Sequence, residues 1–273
     1  MNFNGPRDAP AMSAEFVAQW HGRWNGARRI GRRSALSNAL SDVGFAVRRE
    51  KRRAAVEALR RCADRDDLLR FAAGHIPGGS VQHPEEIGGF LDFIGDRHPR
   101  VVAEIGVQFG GTSFLLGRDL PSVELVIGVD LLDLNRLRLR AFRRPEVELR
   151  LIVGDSSTPA TVNRVRRALQ GRQIDVLLID GDHSYAGVVN DLRAYRPLVA
   201  DGGIVAFHDI VPDDWLRSGH GDSYAGQVPL VWQIVKNQFP SHEFVRSWSQ
   251  SGMGVGAIEN SASTELSLWP PTV

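Results

Sequence analysis

The stretch Ile174-Asp-Val-Leu-Leu-Ile-Asp-Gly-Asp-His-Ser-Tyr185 decides the fold. Its apolar run, Val176 to Ile179, ends in Asp180, Gly181, Asp182 and His183. A helical pattern from Val188 to Tyr195 follows at once. A run that is polar only at its end reads as a strand buried on both faces and feeding a helix. In open α/β sheets, ligands bind outside the carboxyl ends of the strands. Two carboxylates and an imidazole in that corner are therefore placed for chemistry. Gly203-Ile-Val-Ala-Phe-His-Asp209 repeats the form and ends in His208 and Asp209.

Working outward, three more strands precede these two: Arg100 to Ile105, Leu125 to Asp130 and Glu148 to Val153. Gly111 to Leu120 and Thr161 to Gln170 carry helical patterns between strands. Strands alternating with helices imply parallel βαβ units. The expected fold is α/β and Rossmann-like, a doubly wound and mainly parallel sheet. A long polar loop, Val211 to Gln227, leads to a helix from Val228 to Phe239. Phe244 to Trp248 and Gly254 to Ile258 read as two short strands of a hairpin joined by Ser249 to Gly252. Residues 1–75 read as a helical N-terminal extension, with helices over Ala14 to Trp24 and Asp42 to Ala63. Gly74 to Gly79 reads as a linker and Pro84 to Ile94 as a short helix. The expected division is an extension to residue 75, a single α/β domain over 76–260 and a loose tail over 261–273.

Composition excludes several classes. Of 273 residues, 42% are hydrophobic and 24% charged, the balance of an ordinary globular domain with a sizeable core. A net charge of +1 makes no global case for a nucleic-acid or membrane partner. Arginines nevertheless crowd Arg28 to Arg70, and Arg48-Arg-Glu-Lys-Arg-Arg53 reads as a solvated helical face, with a dimer contact, an active-site lid or, less favoured for want of interleaved aromatics, a polyanion site as alternatives. The single cysteine, Cys62, excludes an internal disulfide framework and fits a reducing cytoplasm. The first residues lack a signal-peptide pattern, and no apolar run approaches the length of a membrane-spanning helix.

The first strand runs into Glu104-Ile-Gly106-Val-Gln-Phe-Gly110-Gly-Thr112. Its glycines permit a tight turn and close approach of a ligand to a helix N-terminus. The dinucleotide spacing Gly-x-Gly-x-x-Gly is absent, which argues against a dehydrogenase. Asp130 ends the second strand, where an acid can accept from a ribose diol. Gly154-Asp155-Ser156 ends the third. Acids on three successive strand ends suit a nucleoside that carries hydroxyls and an amine and needs no phosphate site. S-adenosylmethionine meets that description.

Together, Glu104-x-Gly106-x-x-x-Gly110-Gly, Gly128-Val-Asp130, Gly154-Asp155-Ser156, Ile179-Asp-Gly-Asp-His-Ser-Tyr185 and Gly202-Gly-Ile-Val-Ala-Phe-His-Asp209 resemble the class I S-adenosylmethionine-dependent methyltransferases. Within that class the chain looks most like the metal-dependent sugar O-methyltransferases, the group of macrocin O-methyltransferase and the cephalosporin-hydroxylase-labelled proteins. The likeness covers roughly residues 80 to 258. It implies an antiparallel last strand and cofactor contacts at Glu104, Gly106, Gly110, Thr112, Asp130, Asp155, Ser156 and Asp180. It also implies a divalent metal, magnesium in that family, held by Asp180 and the pair His208 and Asp209. Family members often form oligomers, so a homo-oligomer stays open.

Asp180 and Asp209 are good hard-oxygen ligands, whereas His208 suits magnesium poorly and would also fit manganese, iron or zinc. Waters, Asp182 or substrate oxygens could complete such a shell. His183 is the candidate general base, because an imidazole beside a metal-acidified hydroxyl can take its proton. The loop Val211 to Gln227, with Asp213, Asp214, Trp215, His220, Asp222 and Tyr224, suits a carbohydrate acceptor. The expected reaction is O-methylation of a glycosyl or polyol hydroxyl on a small molecule or glycan. A catechol or other small phenol is the nearest alternative acceptor. A catalytically silent S-adenosylmethionine-binding scaffold is the alternative of another class.

Overall fold

The structure is a computed structural model that describes residues 31–79, 82–218 and 223–268. The helix expected over Ala14 to Trp24 lies outside the described residues. Seven strands form one sheet in the order β3-β2-β1-β4-β5-β7-β6. They are β1 Val101–Ile105, β2 Leu125–Asp130, β3 Glu148–Val153, β4 Ile174–Ile179, β5 Val199–His208, β6 Ser241–Phe244 and β7 Val255–Glu259. The first five pair in parallel, and β7 runs antiparallel to both of its neighbours. This is the Rossmann-like, doubly wound sheet that the sequence implied. The order in which strands are added across the sheet reverses between β1 and β4, which leaves a crevice outside their carboxyl ends.

Both sheet faces are covered, so the central strands are apolar on both sides. Val101, Ala103 and Ile105 of β1 face one core with Leu125, Ile127 and Val129 of β2. Helices α7 (Pro159–Leu169), α8 (Tyr185–Tyr195) and α10 (Val228–Val235) cover that side. Val102, Val126, Val176 and Leu178 face the opposite core. There they meet α2 (Arg49–Arg60), α3 (Arg65–His75), α4 (Pro84–Gly95), α5 (Gly111–Asp119) and α6 (Arg136–Phe142). Local chemistry starts several of these helices. Asp64, Thr158 and Ser184 accept backbone N–H bonds as N-caps, and Pro159 sits at the first turn of α7.

The structure departs from the sequence reading at several places. The helix expected over Asp42 to Ala63 is two helices, α1 (Gly31–Val47) and α2, broken where Arg48 leaves helical geometry (ψ 81°). The break lets Phe45 and then Ala55 and Leu59 reach the same core. Helix α6, between β2 and β3, was not expected. The loop Val211 to Gln227 contains a short helix, α9 (Asp214–Ser218). Strand β6 covers Ser241–Phe244 rather than Phe244 to Trp248, because only those residues pair with β7. The tail, expected loose, is held as far as Leu268, which is buried. Arg196 Nη2 donates to the carbonyls of Ser261 (2.6 Å) and Thr264 (2.7 Å), and Gln238 bonds the backbone of Ser267.

One contact fastens the N-terminal helices beside the crevice. Helix α6 has no side-chain cap of its own, since its N-cap Asn135 is left-handed (φ 55°). Asp42 of α1 supplies the cap, accepting from Leu137 N (2.7 Å) and Arg138 N (3.1 Å). The same carboxylate pairs with the Arg138 guanidinium at 3.2 Å. Removing it strips a cap and strands a buried cation. Asp42→Ala is expected to cost about 2–4 kcal/mol of stability, and Asp42→Asn less. Denaturant unfolding checks this, and a loss below about 0.5 kcal/mol would exclude the role given to Asp42.

Candidate active site

The crevice is built by two backbone constraints. Gly106 follows β1 with φ +89°, and a Cβ there would lie 1.9 Å from the Asp180 carbonyl oxygen. Only glycine lets the β1 turn pass this close to the end of β4. Gly110, also left-handed (φ +85°), starts α5, whose first turn has no side-chain cap. Thr112 is buried in that turn. Glu104, buried inside β1, accepts the Ser113 hydroxyl. Burial pushes its carboxyl up to about 8, and the neighbouring Asp180 and Asp130 add to the rise.

Asp130 stands at the end of β2 and accepts from Gln108 N (2.7 Å) and Leu132 N (2.8 Å). Burial raises its pKa against those bonds. The exposed Leu131 and Leu132 follow it, an apolar edge that the sequence reading passed over. Asp155 is exposed, and its Oδ1 accepts from the Ser157 backbone (2.9 Å) and hydroxyl (2.6 Å). Ser156 gives its carbonyl to the Tyr195 hydroxyl at 2.9 Å, while its side chain lies against buried Asp191. Burial raises the Asp191 carboxyl to about 7.

At the ends of β4 and β5, four titratable groups meet. Asp180 Oδ1 lies 3.2 Å from His183 Nε2 and 3.3 Å from His208 Nδ1. Asp209 Oδ2 lies 3.6 Å from His183 Nδ1 and 3.4 Å from His208 Nδ1. Ligand atoms of Asp180, His183 and Asp209 all lie within 4.8 Å of one another. The two carboxylate oxygens fit a divalent cation, and the imidazole stands beside them. His208 is not in that group. It is buried, and both its ring nitrogens lack a well-directed hydrogen bond, so it bears on the two carboxylates by charge. Asp182, read as a further ligand candidate, is exposed and turns Oδ1 to Ser184 N (2.9 Å).

Burial pulls the His183 pKa down, but Asp180 and Asp209 outweigh it and carry the ring up to about 9. His208 is raised by the same two carboxylates. Asp180 and Asp209 are held below the usual carboxylate range, as the two imidazoles outweigh the penalty of burial.

Loops shape this cluster, and here the sequence was mute. His183 Nδ1 donates to the Tyr224 carbonyl at 2.6 Å, and the His183 carbonyl accepts from Gln227 N at 2.7 Å. Gly226 presses on His183 so closely that a Cβ would sit 2.7 Å from the His183 Cβ. Buried Asp213 folds this loop by accepting from the Ser223 hydroxyl (2.9 Å) and the Tyr224 (2.6 Å) and Ala225 (3.2 Å) amides. Asp209 is itself left-handed (φ 61°), with Oδ1 accepting from Met253 N at 2.8 Å. The Met253 loop is fastened by Glu86 of α4, which accepts from Arg246 N, Gln250 Nε2 and Gly254 N. Asp214 and Tyr224 are exposed, whereas His220 and Asp222 lie outside the described residues.

Residues 103–210 match the model of a family described as a methyltransferase domain. A Streptomyces olivaceus protein, 8-demethyl-8-alpha-L-rhamnosyl tetracenomycin-C 2'-O-methyltransferase, is 27% identical over 199 residues, 66% of this chain and 49% of its own length. A rhamnosyl O-methyltransferase of Mycobacterium bovis is 25% identical over 128 residues, 45% of this chain and 51% of its own. The chain thus spans about half the length of the curated relatives it matches. The solved structure of MycE methyltransferase, from the mycinamycin biosynthetic pathway and in complex with Mg, SAH and mycinamycin VI, superposes with a TM-score of 0.50. That pair is 18% identical and covers 76% of this chain and 58% of the other. Residues 103–210 thus resemble a methyltransferase domain, and the sheet they belong to is Rossmann-like.

The histidine pair ties stability to pH. A His183 pKa raised from 6.5 to about 9 on folding contributes stability that is full below pH 6.5 and fades as pH rises through about 9. Metal-free protein should therefore melt at falling temperatures across that window, with a shallower fall in His183→Asn. Divalent-cation affinity, read by calorimetry, should climb over the same window as the imidazolium loses its charge. A flat melting profile, or affinity that falls with pH, would contradict the cluster.

Proposed function

We propose that this chain transfers a methyl group from S-adenosylmethionine to a hydroxyl of a glycosyl or polyol acceptor, with a divalent cation on Asp180 and Asp209. The observation that carries the reading is the convergence of Asp180, His183 and Asp209 within 4.8 Å, next to the Gly106 turn. The sugar-methylating names of the two relatives support the acceptor class.

The uncapped first turn of α5 offers N–H groups to a ligand carboxylate. Asp130, already oriented by two backbone bonds, keeps lone pairs for a ribose diol. Glu104 ionises readily when a cationic amine or sulfonium stands near it. Asp155 and Ser156 edge the same crevice.

A divalent ion between Asp180 and Asp209 would acidify the acceptor hydroxyl and neutralise the two carboxylates. His183 takes the acceptor's proton at Nε2. Its Nδ1–H is committed to the Tyr224 carbonyl, which fixes the tautomer and the ring plane. The protein then needs chiefly to hold the oxygen in line with the methyl group, since displacement at a sulfonium depends on alignment. Asp213 serves this by setting the loop that carries the Tyr224 carbonyl. Tyr224, 78% exposed at the rim, offers a ring to a sugar face.

His183→Asn is expected to lower turnover about 10²–10⁴-fold while S-adenosylhomocysteine binding persists. Asp213→Ala should lower turnover less and shift the acidic limb of the pH–rate profile, because it releases the His183 ring rather than removing it. The assay is labelled methyl transfer to glycosides and catechols, with and without a chelator. Turnover that survives both the chelator and His183→Asn would sink the mechanism. A preference for catechols would move the acceptor class. Intact cofactor binding with no turnover on any acceptor would favour a silent scaffold.

A further inference from the structure

Helix α1 carries an apolar stripe that none of the described residues covers. Leu36, Leu40, Val43 and Val47 are 63%, 66%, 52% and 69% exposed. Their four-three-four spacing keeps them within an arc of about 60° on one helix face. Asp42 and Phe45, the residues of α1 that bury against α6 and the core, lie on the other side. The stripe therefore points away from the body of the protein. Single exposed leucines are ordinary, but four in register on a 17-residue helix are not.

Charge gathers at the end of this stripe. Between residues 31 and 61 stand nine basic residues and three acidic ones, in a chain whose net charge is only +1. Val47 is followed directly by Arg48 and Arg49, and the Arg52 guanidinium folds back to the Ala46 carbonyl at 2.9 Å. Arg49, Arg52, Arg53, Val56 and Arg60 line a groove along α2 with Glu57. The whole-chain charge hides this concentration, because the remainder of the sequence is acidic.

We propose that α1 and the start of α2 form a docking surface for an anionic lipid bilayer. The apolar stripe enters the boundary between headgroups and acyl chains, and the arginines meet the lipid phosphates. Charge decides against a second copy of the chain, which would set one basic cluster against another. Size does so too, since four side chains on one helix fall far short of the 20–30 residues a side of a standard protein interface. A nucleic acid would satisfy the arginines and leave the stripe in water. Among the described residues no helix is long and apolar enough to cross a membrane, so the contact is peripheral.

Flotation of the full chain with vesicles tests this. Vesicles of phosphatidylglycerol mixed with phosphatidylcholine should carry the protein up, and vesicles of phosphatidylcholine alone should not. Raised salt should weaken the binding. Leu40→Glu with Val43→Glu should abolish it, and Arg49→Glu with Arg53→Glu should weaken it at least about tenfold. All four side chains are exposed and none bonds to the Asp180 cluster, so unfolding midpoints and methyl transfer to a water-soluble acceptor should be unchanged. Absence of flotation would overturn the proposal, as would binding that neither pair of substitutions alters. Light scattering on the same samples adds a third contrary result: a dimer dissolved by the Leu40 and Val43 substitutions, with bare vesicles, would assign the stripe to a second copy. The flotation and light-scattering outcomes do not depend on whether the chain methylates sugars.

Discussion

Two carboxylates held side by side in a buried corner are what the rest of this structure answers to. Asp180 and Asp209 directly follow adjacent parallel strands, and the left-handed turn at Asp209 completes their approach. Burial and mutual repulsion both oppose their ionisation. His183 and His208 reverse that balance, and both carboxylates stay ionised while both rings gain protons. A cluster so arranged is poised to exchange protonic charge for a bound cation. The same exchange would free His183 to act as a base, which links cation binding and proton transfer through one pair of side chains.

Keeping that corner in shape involves distant parts of the chain. Glu86, on a helix before the first strand, binds the loop that supplies Met253 N to Asp209. Asp213 binds the loop that supplies the Tyr224 carbonyl to His183. Asp42 caps α6 from the N-terminal helices and so fastens them next to the Asp130 edge. Each is a buried carboxylate that gathers several N–H donors, and each acts through backbone rather than by touching the reacting groups. The N-terminal helices thus support the crevice on their inner face and present an apolar stripe and a basic cluster on their outer one.

The sequence disclosed the sheet and the site ends because buried parallel strands leave an unmistakable pattern. Val176 to Ile179 and Ile204 to Phe207 are apolar without interruption, and the residues that follow each run are the ones the structure brings together. Gly106 and Gly110 were legible since only glycine relieves the contacts found there. Helix α6 was hidden because Arg136-Leu-Arg-Leu-Arg140 alternates like a strand, and its cap lies 95 residues away in sequence. Glu86 and Asp213 were hidden for the same reason, as their partners are set by tertiary structure. The break at Arg48 and the short β6 follow from packing and pairing rather than from local propensity.

The most direct test of the central claim is calorimetric titration of the purified chain with S-adenosylhomocysteine. The account predicts micromolar binding that is lost in Gly106→Ala, whose methyl group would collide with the Asp180 carbonyl, and weakened in Asp130→Ala. No binding to the folded wild-type protein, with or without Mg²⁺, would contradict it.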